Sequence, residues 1–289
     1  YSVAVPATSG YQTMLKNIGS IENQGYELSI ESDNLTGAFS WTTAFNIAFN
    51  RNKVLELGGE EYKEMAEGDG HLKTGSVRRL IVGEPIGVFY GYRFDGIFQN
   101  EEECKQQTSS ASPIGVGLRR YKDLNGDGKV DAANDREILG DANPKFFGGL
   151  TNTFAYKGFE LNVFLQYSYG NKILNYNAME LENPTGGQNA YADMVNRWTP
   201  ENPSNIYPKA TTNRALLVSD RFIEDGSYLK LKTLSLSYSF PKINLKHIQG
   251  LRLYVTGQNL LTWTKYRGYD PEVSYRGAST LEAGEDFGG

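Results

Sequence analysis

The sequence has little cysteine and histidine and no long hydrophobic run. One cysteine, Cys104, occurs among 289 residues, so no internal disulfide stabilises the fold. Hydrophobic residues make up 39% of the chain and nowhere form the roughly 18 consecutive apolar positions of a membrane helix. No serine-hydrolase, zinc-protease or phosphate-binding signature is present. These absences exclude a helical membrane protein and indicate that the chain is not an enzyme.

Basic charge is also scarce. The formal net charge is -5, which argues against nucleic acid as a partner because phosphate binding needs clustered Lys and Arg. Aromatic residues, in contrast, reach 12% with 19 Tyr, and there are 32 Gly. Many aromatics together with many glycines are typical of an all-β chain with numerous turns.

Two segments alternate apolar and polar residues for longer than an ordinary strand does. In residues 39–50 the odd positions are large and mostly apolar and the even positions are small or polar, and residues 159–170 repeat this pattern. Alternation over about a dozen residues exceeds the usual strand of roughly 5–6. It matches the roughly 9–11 tilted residues that cross a bilayer. Strands with one apolar face therefore predict a membrane β-barrel.

The connections between the predicted strands support this class, because some are short turns and others are long. Outer-membrane barrels have short turns on the periplasmic side and long loops outside. Strands 38–50 and 145–156 run in opposite directions under this rule, so an even number of strands must separate them, and 74–82 and 86–98 supply two. We predict that loops 51–73, 99–144, 171–226 and 265–289 share one face. The eight predicted antiparallel strands are 24–33, 38–50, 74–82, 86–98, 145–156, 159–170, 227–240 and 250–264.

Several segments, in order along nearly the whole chain, resemble the C-terminal barrel of SusC/RagA-like TonB-dependent transporters of Bacteroidota. The segments are Asn17–Leu28, Gly83–Phe98, Asp123–Pro144, Asp225–Lys232, Gly257–Leu260 and Gly268–Glu272.

The resemblance implies a barrel of about 22 strands with an N-terminal plug. It also implies a SusD-like surface lipoprotein as partner, energy from the TonB complex, and import of glycan or peptide oligomers across the Gram-negative outer membrane. On this interpretation residues 1–289 form one domain, an arc of the barrel wall in contact with outer-membrane lipid. We expect the plug domain and the last strand to be absent from it.

One loop segment resembles a calcium-binding loop. Counted from Asp123, oxygen ligands fall at positions 1, 3, 5 and 9 and a backbone carbonyl at 7, with glycine at 6 for the turn. Position 12 is Asn134 instead of an acidic residue. The alternative is a turn built from Asn and Asp side chains that bond their own backbone. The candidate ligands of a structural, extracellular Ca²⁺ ion in loop 99–144 are Asp123, Asn125, Asp127, Lys129, Asp131 and Asp135.

Two other functions stay open at this point: a secreted, calcium-binding β-sandwich that binds carbohydrate, and a β-rich glycoside hydrolase. The environment of the large residues on strand 38–50 separates the barrel from the sandwich, because a second sheet would bury them only in the sandwich. These residues are Phe39, Trp41, Phe45, Ile47 and Phe49. For substrate contact, the aromatic candidates in the longest loop are Trp198, Tyr191 and Tyr207, with packing inside that loop as the alternative role.

Overall fold

The computed structural model describes residues 2–4, 13–15, 19–65, 72, 75–183, 189–211, 216–240, 250–273, 275 and 281–287. Helices are short: α1 (Glu101–Gln106), α2 (Tyr176–Leu181) and the 3₁₀ turns Ala192–Asn196 and Asp220–Phe222. In the described part of the chain, none of the helices has the length and hydrophobicity to span a bilayer. The strands are β1 (Ser2–Ala4), β2 (Thr13–Leu15), β3 (Gly19–Leu35), β4 (Phe39–Leu57), β5 (Tyr62–Glu64), β6 (Arg79–Ile81), β7 (Val88–Tyr92), β8 (Phe94–Ile97), β9 (Thr108–Ser109), β10 (Arg119–Tyr121), β11 (Lys129–Val130), β12 (Arg136–Asp141), β13 (Phe146–Tyr156), β14 (Phe159–Tyr169), β15 (Lys172–Asn175), β16 (Ile223–Asp225), β17 (Tyr228–Phe240), β18 (Leu251–Thr264) and β19 (Glu285–Asp286).

Six long strands form one antiparallel sheet, which we call the wall. Its strand order is β18-β17-β14-β13-β4-β3, and its strands run from 11 residues in β13 and β14 to 19 residues in β4. Every neighbouring pair in the wall is antiparallel. The long alternating segments of the sequence are therefore the wall strands, as the antiparallel all-β prediction required.

The predicted strands 74–82 and 86–98 do not belong to the wall. β4 pairs directly with β13, with Trp41 opposite Phe154 and Phe45 opposite Leu150. The prediction required an even number of wall strands between β4 and β13. No wall strand lies between them, which satisfies the rule because zero is even. The two segments contain the short strands β6, β7 and β8, which pair with β5, β12 and β10 outside the wall. Their apolar residues, such as Phe89, are buried in a separate core, which explains the misleading hydrophobic pattern.

The register places all long connections at one edge of the wall, as predicted. Phe146 lies opposite Tyr169, and Tyr228 lies opposite Thr264, so the segments before β13, between β14 and β17 and after β18 meet there. The short turns between β3 and β4 and between β13 and β14 lie at the opposite edge. At one of these, Lys157 and Gly158 both have positive φ, of 46° and 87°. This is the conformation that a two-residue hairpin requires.

The long connections fold into a cap with its own hydrophobic core. Buried side chains from several segments between 72 and 222 pack together, and α2 contributes three of them. A second cluster joins Val54 and Leu57, at the loop end of β4, to Leu80. The cap core therefore begins at the edge of the wall and extends away from it. The members of the main cluster are Leu72, Val77, Phe89, Ala142, Leu174, Tyr176, Ala178, Met179, Leu216, Val218 and Phe222.

Candidate functional site

One face of the wall is predominantly apolar across all six strands. A single row of it runs from Leu28 on β3 through Ile47 on β4 and Gly148 on β13 to Tyr167 on β14, and continues through Leu229 to Trp263. Phe39 and Phe49 are exposed by 42% and 39%, and Trp41, Phe45 and Ile47 are half-buried by neighbours in their own sheet. Within the described residues no second sheet packs over these five side chains. The β-sandwich alternative fails this test.

Aromatic side chains bound the apolar face at both ends. At the turn edge, Phe39 contacts Phe154 and Tyr156, and Phe159 contacts Tyr238. At the loop edge, Phe146 contacts Phe49, Tyr167 and Tyr169. β13 separates the two groups by its 11 residues, about 33 Å along the strand. At a strand tilt of about 40° this becomes about 25 Å, the height of the apolar band between the aromatic girdles of outer-membrane barrels.

The opposite face of the wall is polar. Its positions on β4 are small or polar, with Asn46 at the centre, and on β17 it carries a run of serines. Arg252 of β18 forms a salt bridge of 2.6 Å with Glu160 of β14 across β17. A charged pair on this face and a predominantly apolar surface on the other identify the polar face as the side toward a barrel lumen.

The apolar face contains a polar pair, Asn152 and Thr43, whose side chains bond each other. The Asn152 side-chain oxygen accepts hydrogen bonds from the Trp41 indole N–H at 2.9 Å and from the Thr43 hydroxyl at 2.8 Å. An unpaired polar group would cost several kcal/mol in hydrocarbon, of order 4–8 in an apolar solvent. The bonds to Trp41 and Thr43 allow an asparagine to lie on this face. Sequence alternation alone places Asn152 there but does not identify its partners.

A β-bulge changes the alternation within β17 and β18. Between Leu231 and Thr233 the register shifts, so that Lys230, Lys232 and Thr233 all lie on the polar side while Leu229 and Leu234 remain on the apolar side. On β18 the shift coincides with Asn259, whose φ is 51°. Asparagine tolerates this left-handed conformation better than other non-glycine residues. The bulge therefore explains both the Asn in segment Gly257–Leu260 and the two lysines close together on the polar face.

The segment that follows β18 folds back onto this bulge. The Lys230 ammonium is 1% exposed and donates to both oxygens of Asp270, each at 3.0 Å, and to Glu272. Lys232 donates to Glu272 at 2.8 Å, and the Tyr228 hydroxyl does so at 3.1 Å. We call these residues the latch. Burial alone would raise the pKa of Glu272, but the hydrogen bonds from Lys230 and Lys232 outweigh it and lower that pKa to about 2.

Two further ion-pair networks tie the cap together. The Arg78 guanidinium and the Glu285 carboxylate form a salt bridge of 2.9 Å with both side chains 2% exposed. Glu182, with a side chain that is 0% exposed, pairs with Arg221 at 2.7 Å and with Arg267 at 3.0 Å. Burial and a hydrogen bond to Asp286 raise the pKa of the Tyr266 hydroxyl, which therefore stays protonated. These salt bridges join segments far apart in sequence, and no local sequence pattern predicts them.

The structure shows the candidate calcium loop as a chain of side-chain-to-backbone hydrogen bonds. The two oxygens of Asp123 accept from the amides of Gly126 and Gly128, each at 2.7 Å. The buried Asp135 accepts from the amides of Leu124 and Asp131, each at 2.8 Å. Asn125 and Asp127 accept from amides two residues on, and Lys129 pairs with Asp131.

Among the described residues, no group of three or more His, Cys, Asp or Glu side chains is placed to hold a metal ion. The turn built from self-bonding Asn and Asp side chains is the arrangement that the structure contains, and Asp135 is central to it because it bridges the two ends of the loop. Calcium binding by this loop stays a prediction.

The three loop aromatics proposed for substrate contact have partners inside the cap. The Trp198 indole N–H donates to Gln99 at 3.0 Å, and its ring packs on Gly117. The Tyr207 hydroxyl donates to Asp193 at 3.2 Å, and Tyr191 packs against the main cap cluster. Trp198 and Tyr191 therefore pack within the cap, and contact of the three aromatics with substrate stays a prediction.

Comparison with known proteins agrees with this geometry. TonB-dependent receptor P3 of Formosa agariphila is 39% identical over 287 residues, an alignment that covers 98% of this chain and 28% of the relative. TonB-dependent receptor SusC of Bacteroides thetaiotaomicron is 28% identical over 286 residues, covering 94% of this chain and 26% of the relative. The structure of the RagAB peptide transporter matches with a TM-score of 0.72 at 25% identity, covering 93% of this chain and 29% of that one. No protein-family model matches the chain.

The matched proteins are receptors and transporters, which confirms that the chain is not an enzyme. The chain spans little more than a quarter of the length of the curated relatives it matches. Its two-faced wall, its loops on one edge and its similarity along nearly the whole length point to the same family. The chain is homologous, along nearly its whole length, to a segment of the TonB-dependent receptors, SusC among them, and its wall corresponds to part of their outer-membrane β-barrel.

Proposed function

We propose that the protein containing this chain imports peptide or glycan oligomers across the outer membrane in a TonB-dependent manner. The wall supplies part of the lipid-facing barrel and, on its other side, part of the polar lumen. The cap supplies part of the extracellular surface that receives the substrate. The observation that carries this proposal is the six-stranded sheet whose apolar face lies between two aromatic girdles while all long connections meet at one edge.

We also propose a SusD-like lipoprotein as the partner on the cap side and the TonB complex as the energy source. Support for these partners comes from the relatives, which include SusC and the RagAB peptide transporter. The cap favours a partner there because it is a folded body with a buried core and internal salt bridges. A preformed surface loses less conformational entropy on binding than a set of mobile loops does.

The polar face gives a physical reason for an oligomeric, hydrogen-bonding substrate. Asn, Gln, Ser and Thr side chains line it, including Asn162, Gln166 and Ser235, and Arg252 is paired with Glu160. Such a surface exchanges hydrogen bonds with amide or sugar hydroxyl groups. Both peptides and glycans suit this surface, so the experiment must separate them.

The test uses the full-length protein in its native host. Deletion of its gene should abolish growth on either a defined peptide mixture or a glycan mixture as sole nutrient, and leave growth on free amino acids and glucose unchanged. An affinity-tagged copy should remain in the membrane fraction until detergent is added and should co-purify with a surface lipoprotein. Recovery in the soluble fraction without detergent would overturn the proposal. Unchanged growth on both oligomer classes would exclude the import role for those nutrients.

A further inference from the structure

The apolar face of the wall contains a groove at its loop edge. Its floor is the row in which Tyr167 lies opposite Leu229 and Leu229 opposite Trp263. Phe146 and Tyr169, stacked with ring centroids 5.0 Å apart, form the side of the groove nearer β4. The groove has a volume of about 610 Å³. This volume accommodates part of a hydrocarbon chain, and five of the lining residues are aromatic.

The rim of the groove nearest the cap is polar, and its hydroxyl and carboxylate groups already have partners. The Ser227 hydroxyl donates to Asp225 at 2.6 Å, and the Thr264 hydroxyl donates to the Ser227 carbonyl at 2.8 Å. Burial would raise the pKa of Asp225, but hydrogen bonds from Ser227 and the charges of Lys172 and Lys265 lower it, so this carboxyl is ionised and internally compensated. The exposed rim residue Lys265 is the cation of this groove.

A second exposed lysine lies on the other side. The Lys145 side chain packs along Gly170, directly after Tyr169, where a Cβ atom on that glycine would come within 2.7 Å of the lysine stem. The exposed Arg51 donates to the Lys145 carbonyl at 2.9 Å and brings a third positive charge to this edge. The groove is therefore apolar within the membrane band and flanked by cations where that band meets the cap.

We propose that this groove binds a phosphorylated membrane lipid, with an acyl chain against Tyr167, Leu229 and Trp263 and the phosphate beside Lys265 and Lys145. Aromatic girdles lie at the depth of lipid headgroups, so a chain on the groove floor brings its headgroup to the rim. Lysine ammonium groups near a membrane surface attract anionic headgroups. The ligand is a lipid and not free phosphate, because the larger part of the site is hydrocarbon. The inference rests on the lipid-facing wall of the proposed function.

Trp263 provides a direct reporter, since brominated acyl chains quench indole fluorescence on contact. The full-length protein would be reconstituted in vesicles of brominated phosphatidylcholine, brominated phosphatidylglycerol and mixtures of the two. The quenching that belongs to Trp263 is obtained by subtracting the fluorescence quenching of the Trp263→Phe variant from that of the native protein. We expect quenching by both lipids, a several-fold preference for the anionic lipid in mixtures, and no displacement by inorganic phosphate.

The contribution of Lys265 to lipid preference is tested by substitution, with an exposed lysine of the cap as the matched control. Lys265→Gln should reduce the anionic preference toward equal affinity, and Lys105→Gln, an exposed lysine of α1, should leave it unchanged. Raising the salt concentration from about 0.05 to about 0.5 M should weaken the preference in the native protein, which tests the same point even where a variant fails to assemble. Equal affinity for both lipids in the native protein, or an undiminished preference in Lys265→Gln, overturns this proposal. Absence of any Trp263 quenching overturns the lipid-facing wall itself.

Discussion

The wall and the cap use the same apolar residue types in opposite ways. Phe159 on the wall is 53% exposed, and Phe89 in the cap is 0% exposed. In the cap, apolar side chains leave water by packing on one another, as in any globular core. In the wall they remain uncovered by protein, which is stable only when hydrocarbon surrounds them. The cap therefore buries its apolar side chains within the protein, whereas the wall requires membrane hydrocarbon to cover its apolar side chains.

The largest expected effect separates the two regions by truncating one phenylalanine in each. Phe89→Ala should destabilise the cap by about 3–5 kcal/mol, because it leaves a cavity beneath the Arg78 guanidinium. Phe159→Ala should cost about 0.5–1.5 kcal/mol, the contribution of its ring contact with Tyr238, since lipid fills the space. Hydrogen exchange of the cap and wall amides in detergent measures both. Equal losses of stability in Phe89→Ala and Phe159→Ala would contradict the distinction between a protein-packed cap and a lipid-covered wall.

The next effect uses adjacent residues on opposite faces of one strand. Phe45→Lys puts a charge in the middle of the apolar band and should destabilise the membrane-inserted state by about 2–4 kcal/mol. Asn46→Lys, one residue along β4, points to the polar face and should change stability by less than about 0.5 kcal/mol. Folding yield into lipid vesicles compares the two variants. If Asn46→Lys were the more damaging substitution, the assignment of the faces would be inverted.

The latch predicts a specific response to acid. Glu272 has a pKa lowered to about 2 from an ordinary value of about 4.3, so the stability it contributes is complete above about 4.3 and is lost as the pH falls through about 2. Amides of segment 266–273 should therefore remain protected at mildly acidic pH and open near pH 2. Glu272→Gln should remove this pH dependence, with Glu84→Gln, an acidic residue remote from the latch, as the control. Opening already near pH 4 would show that the lysines do not hold the carboxylate.

The smallest expected effect concerns the calcium loop. Addition of about 1 mM Ca²⁺, a concentration that fills weak extracellular sites, should slow hydrogen exchange of residues 123–135, and Asp123→Asn should abolish the response. Mg²⁺ at the same concentration serves as the control, because its strict octahedral geometry suits this loop poorly. If hydrogen exchange of residues 123–135 is the same with and without Ca²⁺, the loop is a hydrogen-bonded turn that does not bind calcium.

Sequence reasoning succeeded for the wall because each of its strands is long and has one face in a uniform environment. Alternation at Phe39–Phe49 and Phe159–Tyr169 extends over many residues, so the pattern exceeds chance. It failed at 74–82 and 86–98, because short apolar segments look alike whether they join a membrane sheet or a cap core. The latch was missed for a different reason. Lys230 and Glu272 lie in two segments that resemble the transporter family, but no pattern within either segment indicates that they meet.

By itself, the sequence determined that long strands with one apolar face form an antiparallel membrane sheet, and that the long connections lie on one edge. These features follow from side-chain alternation along the backbone, which is local. Only the tertiary structure decided that β4 pairs with β13, that the bulge near Lys232 brings two lysines to one carboxylate, and that Arg78 meets Glu285. Those outcomes depend on contacts between residues far apart in the chain, whose free energies appear only when the sheet register and the cap core form together.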